Sequence, residues 1–180
     1  TAFVCAPIHA SISGTVTAVE PRPHFNGTNV LSVVIKNDFE ETLDPSVRPA
    51  EDPDSLTPEE LAEIVKNAGV VGLGGATFPT HVKISSGLGK VDTVIINGAE
   101  CEPYLTSDHR ILLEYPEEVI GGAKLLAKIF KVDKVHVGIE TNKMNAAELL
   151  KRKIEEEHAP VVVDVLHARY PQGAEKQLCQ

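Results

Sequence analysis

Tryptophan is absent, and aromatic residues make up only 4% of the 180 residues. Long apolar runs are absent too. The longest are short, such as Val161-Val162-Val163, far below the ~20 residues that a membrane-spanning helix needs. Direct membrane insertion is therefore not expected. Cysteine is scarce: Cys5, Cys101 and Cys179 are an odd number at wide spacing. They form neither a disulfide framework nor a zinc or iron–sulfur ligand set, and a reducing setting suits them. The first residues, Thr1-Ala2-Phe3-Val4-Cys5-Ala6-Pro7, lack the basic and apolar regions of a signal peptide. The seven histidines show no metal-ligand spacing, so no metal site is expected. No Ser-His-Asp or Cys-His arrangement can be argued from spacing, so no catalytic side chain is assigned.

Positive charge is the other deficit. Seventeen Lys and Arg face 26 Asp and Glu, for a net charge of -9. Ten acids and a single base, Arg48, fall within residues 37–63, which therefore carry the whole imbalance. Pro45, Pro49, Pro53 and Pro58 lie in the same stretch. Acidic, proline-rich sequence buries little apolar surface and stays extended, so residues 37–54 read as a linker. The rest has no basic stripe for a phosphate backbone, and nucleic-acid binding is not expected.

What is present is enough apolar sequence, 42%, to build a core. Ahead of the linker, Ile8 to Val19 alternates around Gly14, and Val30 to Ile35 is rich in β-branched residues. Two short strands are marginal alone, so residues 1–36 read as part of a small β unit. After it, Thr57-Pro58-Glu59-Glu60 predicts a capped helix that ends at Gly69. Strands are predicted at Val91–Ile96, Val135–Ile139 and Pro160–Leu166, and helices at Pro116–Phe130 and Asn145–Glu157. This alternation predicts an α/β domain over residues 55–180, a parallel sheet with flanking helices. Ligands in such sheets sit at the C-terminal ends of the strands.

Three segments stand out: one is the first loop of the domain, and two follow strands. Residues 69–80, Gly-Val-Val-Gly-Leu-Gly-Gly-Ala-Thr-Phe-Pro-Thr, hold four glycines in seven positions. Such a loop exposes backbone N–H groups to a phosphate or a ring. It departs from the dinucleotide fingerprint at Thr77 and has no Gly-Lys-Ser/Thr of a phosphate-binding loop. Lys83 follows it. Residues 97–104, Asn-Gly-Ala-Glu-Cys-Glu-Pro-Tyr, set two carboxylates and an amide after the first strand of the sheet; a plain polar turn accounts for them equally well on position alone. Cys101 there reads as structural. Residues 170–177, Tyr-Pro-Gln-Gly-Ala-Glu-Lys-Gln, repeat the mix after the third strand. All three segments are expected to meet in one cleft.

Together these segments closely resemble the C subunit of the Rnf ion-translocating electron-transport complex, and more distantly the flavin-carrying NADH-oxidising subunit of respiratory complex I. Residues 6–16, Ala-Pro-Ile-His-Ala-Ser-Ile-Ser-Gly-Thr-Val, resemble the end of the Rnf protein's N-terminal barrel-sandwich domain. Leu73 stands where the complex I branch has Arg, and Ala99 where it has Asp; both match the Rnf branch. The resemblance implies a Rossmann-like fold, a non-covalent FMN and NADH as substrate. It implies that Gly72, Gly74 and Gly75 line the flavin and that Lys83 holds its phosphate arm. Phe78 would stack on the adenine. Asn97, Glu100 and Glu102 would edge the isoalloxazine and nicotinamide, and Tyr170, Gly173 and Glu175 would close the far side. It further implies [4Fe-4S] clusters only beyond Gln180, other subunits of a membrane complex as partners, and a peripheral place on the cytoplasmic face. Two alternatives accompany it: a flavin-free docking scaffold, and a cobalamin-reductase-like relative of the same fold.

Overall fold

The computed structural model describes residues 3–47, 52–73 and 76–180. Helix α1 (Pro58–Asn67) starts as its sequence demands. Glu60 N donates to the Thr57 hydroxyl at 3.2 Å, and Thr57 N donates to Glu60 Oε2 at 2.8 Å. These two bonds satisfy orphan donors of the first turn reciprocally. The backbone bond, and then the hydroxyl bond, hold the Glu60 carboxyl below the usual range. Gly69, at φ +71°, turns the chain away after the last helical residues. Leu61 and Ala62 pack against Ile84 of α2 (Thr80–Gly87) and Ile129 of α4 (Pro116–Phe130).

The sheet has three strands, β3 (Val94–Gly98), β4 (Val135–Glu140) and β5 (Val161–Leu166), in the order β3-β4-β5 and all parallel. The predicted α/β domain with a parallel sheet is thus what the chain builds. α3 (Ser107–Glu114) and α4 connect β3 to β4, α5 (Met144–Glu157) connects β4 to β5, and the short α6 (Glu175–Leu178) follows. The two-residue period of a strand sends Val135, Val137 and Ile139 to one face. There, with Val161 and Val163, they meet Ile120, Ala123 and Ala127 of α4 and Ala146, Ala147 and Leu150 of α5. Both connections cover the same face, as right-handed crossovers between strands added in one direction require. The other face is shallow and open. Thr93, Ile95, His136, Gly138, Asp164 and Leu166 line a cavity of about 360 Å³ there, walled on one side by Leu178 of α6. His136 Nδ1 and Asp164 Oδ2 pair across this face at 2.7 Å.

Two boundaries differ from expectation. The first strand of the sheet runs over 94–98, not 91–96, because pairing with β4 begins at Val94↔Val135 and continues to Gly98↔Ile139. Helices α2 and α3 carry no signal in the sequence. α2 reads Thr-His-Val-Lys-Ile-Ser-Ser-Gly, a composition of weak helix formers. α3 has no side-chain cap at the residue preceding it, Thr106; its cap comes from Glu100, on the loop after β3.

The N-terminal part is a hairpin. β1 (Gly14–Pro23) and β2 (Asn29–Asn37) are antiparallel, from Gly14↔Asn37 to Pro23↔Asn29, with an irregularity between Val16 and Ala18. The alternation from Ile8 thus becomes a strand only at Gly14 and then runs on through two prolines. Val16, Val19, Leu31 and Val33 are all exposed. Residues 38–47 are irregular, with the Asp38 and Asp44 carboxylates each accepting bonds from backbone N–H groups two residues on. The chain is tied to the α/β part ahead of the hairpin and again after the irregular stretch. His9 Nε2 bonds Asn67 O at 2.9 Å, and Lys128 Nζ donates to Pro53 O at 2.7 Å.

Among the described residues no helix is long and apolar enough to cross a membrane. Irregular, exposed and acidic backbone between two structured parts is where proteases cut first. Limited proteolysis is expected to nick residues 37–54 before any other internal site. First cleavage within 94–140 would contradict the proposed domain boundary.

Candidate functional site

β3 ends at Gly98, and the chain turns sharply. Glu100 adopts φ +47°, a conformation uncommon for a residue with a side chain. This turn sends the Glu100 carboxylate to the start of α3. Asp108 N donates to Oε1 at 2.6 Å and His109 N to Oε2 at 3.2 Å. The carboxylate therefore satisfies two N–H groups that a helix start leaves without partners, and its charge complements the helix dipole. Burial of its carboxyl, and next the charge of Glu100, push Asp108 above the usual carboxylate range; nearby Lys143 opposes this and Glu102 adds to it. Glu102 itself is exposed, and so is Tyr104.

The segment after β5 locks onto this turn. Asn97 Nδ2 donates to Gly173 O at 2.8 Å, and Gly173 N donates to Cys101 Sγ at 3.2 Å. Asn97 Oδ1 accepts from Ala99 N at 3.3 Å. A Cβ on Gly173 would stand 3.1 Å from Cys101 Sγ and 3.7 Å from the Ala99 methyl, so glycine permits the close approach. Cys101 is a structural acceptor here. Gln172, nearly buried, accepts from Arg169 Nε at 2.9 Å. Tyr170 and Glu175 are exposed beside it. Two of the three expected segments are thus joined at the strand ends.

The glycine loop forms a second cluster. Gly72 N donates to Phe78 O at 2.9 Å, and Val71 bridges to Pro79, so the loop closes on itself directly before α2. Lys83, in the first turn of α2, places its Nζ 3.5 Å from where a Cβ on Gly72 would stand. Among the described residues that ammonium pairs with no carboxylate. On the opposite, buried face of the same turn, His81 is 4% exposed. Its Nε2 bonds Phe3 O at 3.3 Å, and its Nδ1 is buried without a hydrogen-bond partner among the described residues. Phe78 is partly exposed on the loop. Gly74 and Gly75, also expected at the site, lie outside the described residues. Among the described residues no hydrogen bond or ion pair joins this cluster to the strand-end cluster.

One group at the strand ends escapes a reading of the sequence. Glu140, the last residue of β4, and Lys143, just after it, are both buried, 2% and 6% exposed. The strand-end rule that singles out 97–104 and 170–177 applies equally to 140–143. Only the absence of glycine and aromatic residues there hides them.

A parallel sheet with polar loops converging at its strand ends, and a cationic glycine loop opening a nearby helix, defines an α/β domain of the kind that binds phosphate-bearing cofactors. The chain belongs to the family of the Nuo51 FMN-binding domain, whose model matches residues 65–180, and residues 1–40 match the RnfC barrel sandwich hybrid domain. It is 50% identical over 177 residues to the C subunit of the Na(+)-translocating ferredoxin:NAD(+) oxidoreductase complex of Acetobacterium woodii, covering 98% of this chain and 40% of that protein. It is 43% identical over 178 residues to the C subunit of the proton-translocating ferredoxin:NAD(+) oxidoreductase complex of Clostridium ljungdahlii, covering 98% of this chain and 38% of that one. The chain thus spans well under half the length of these relatives. Among solved structures, an NAD+-reducing [NiFe]-hydrogenase in the H2-reduced state aligns with a TM-score of 0.63 at 26% identity, over 73% of this chain and 26% of that one.

The Gly173 contact gives a direct test. Gly173→Val forces side-chain carbon against Cys101 Sγ and is expected to cost about 1–3 kcal/mol of stability, as overpacking does; Gly173→Ala should cost less. Cys101→Ala should recover part of the loss in the Gly173→Ala background, read from denaturant midpoints in a double-mutant cycle. Strictly additive losses would show that the two residues do not meet.

Proposed function

We propose that this chain is the FMN- and NADH-binding part of an electron-transfer subunit in a membrane-bound, ion-translocating oxidoreductase. The observation that carries the reading is the cationic loop: an ammonium that, among the described residues, has no carboxylate partner and lies beside glycine backbone, in a chain of the FMN-binding family. These groups suit a phosphate. Lys83 would hold the ribityl phosphate arm by charge, and Gly72, Gly74 and Gly75 would let backbone approach the flavin. Phe78, exposed on the same loop, would stack on the adenine of NADH.

At the strand ends, Asn97 and Glu100 use their side chains to shape the turn, so their part is to hold the edge of the site in place. Glu102, Tyr170 and Glu175 are exposed and offer polar and aromatic atoms to the nicotinamide and its ribose. Gly173 keeps the far wall close. When bound, FMN supplies a two-electron acceptor for hydride and a one-electron donor to iron–sulfur clusters. The protein's work is orientation and exclusion of water; no side-chain nucleophile is needed. Among the described residues no group of three or more His, Cys, Asp or Glu is placed to hold a metal. The relatives' membership in ion-translocating complexes supports a peripheral place on the cytoplasmic face, with other subunits as partners.

Titration of FMN, followed by quenching of its fluorescence, tests the reading in the full subunit. Lys83→Glu removes a charge-assisted contact worth about 1.5–3 kcal/mol, so affinity should fall by roughly 10- to 150-fold or more. NADH should bleach the bound flavin. No FMN binding by the unaltered protein would overturn the proposal in favour of a flavin-free scaffold, and anaerobic return of the flavin colour on adding a corrinoid, with the corrinoid reduced in step, would favour the reductase relative.

A further inference from the structure

The buried ion pair after β4 has no part in holding FMN or NADH as proposed, yet it touches every loop at the strand ends. Lys143 Nζ donates to Ala99 O at 2.9 Å, to Asn142 Oδ1 at 3.0 Å and to Glu100 O at 3.3 Å. Its ammonium lies 3.7 Å from Glu140 Oε2. Glu140 accepts from Asn142 Nδ2 at 3.2 Å and, through its other oxygen, from Arg169 N at 3.2 Å. A single lysine–glutamate pair, standing at the end of the central strand, therefore fastens the turn after β3 to the turn after β5.

A buried ion pair contributes little net stability compared with apolar side chains of the same volume. Its consequence lies in what it holds. Two successive carbonyls, of Ala99 and Glu100, are turned onto the ammonium. Between them the chain takes the left-handed conformation at Glu100, a strained arrangement that persists only where surrounding contacts impose it. That conformation sends the Glu100 carboxylate to α3 and leaves Cys101 Sγ facing Gly173 N. The same ammonium, excluded from water, sets a positive charge near the Asp108 carboxyl. In a site of low dielectric such a charge acts more strongly than at the surface.

We propose that Lys143 is a positioning residue for the flavin edge of the site. With Glu140 it sets the register of residues 97–102 against 168–173, and its charge favours the reduced, more negative state of the cofactor. The proposal rests on the FMN-binding function proposed for the chain.

The test uses the full-length protein with Lys143→Met, and with Lys143→Met combined with Glu140→Leu, which leaves no unpaired buried carboxylate. Hydrogen exchange, FMN affinity and the flavin reduction potential are measured. Lys143→Met should speed exchange at the amides of Asp108, His109, Arg169 and Gly173 while leaving Val137 and Ile139 protected. FMN affinity should fall at least tenfold, and the potential should move to a more negative value. The double variant should fold as stably as the unaltered protein and keep the affinity defect, while its potential lies closer to the unaltered value because a neutral pair has been removed. Wild-type affinity in the double variant would overturn the proposal and leave the pair a packing feature. Unchanged exchange at those four amides in a folded Lys143→Met variant would overturn it as well. Absence of FMN binding in the unaltered protein would refute the functional reading instead, and the exchange measurement would still decide whether Lys143 fastens the two turns.

Discussion

β4 is hydrogen-bonded along both edges, to β3 and to β5. Val135, Val137 and Ile139 on its core face are 1% exposed or less. A strand so placed fixes the position of both neighbours, and with them the places where their following loops emerge. The buried Glu140 and Lys143 extend this constraint one step beyond the sheet. They carry the rigidity of the central strand into the turns after β3 and β5. A site held to within roughly half an ångström has to draw that precision from such rigid elements, because loops by themselves are less exact.

The strand-end cluster is built from side chains that bond to backbone. Asn97 bonds the carbonyl of Gly173, Glu100 caps α3, Cys101 accepts from Gly173 N, and Glu140 accepts from Arg169 N. Each bond reaches across a large sequence separation or turns a corner, so each depends on the sheet having formed first. The cationic glycine loop is of another kind. It is closed by local bonds between Gly72 and Phe78 and between Thr80 and Val70, and it is braced by the N-terminal segment through Phe3 O on His81.

How much could be read in advance follows this division. The capped start of α1, the 116–130 helix and the strands at 135 and 161 are legible because their signals are local: a Thr and a Glu three apart, or apolar residues at fixed periods. α3 was not legible, because its cap, Glu100, lies outside the helix on the preceding loop. Glu140 and Lys143 were not legible either. A buried lysine looks like any surface lysine until the strands beside it supply the carbonyls that solvate it.

The order of the three parallel strands with α1, α4 and α5, the acidic stretch between the two parts, and the glycine loop with its lysine were therefore determined by the amino-acid sequence alone. They follow from composition, periodicity and turn chemistry over a few neighbouring residues. Which side chains meet at the strand ends was decided by the tertiary structure. Asn97 and Gly173 are 76 residues apart in the chain, and Lys143 and Ala99 are 44 apart. Nothing local pairs them. The parallel ladder does, because it brings the C-terminal ends of β3, β4 and β5 to one edge and so sets their loops within hydrogen-bonding distance.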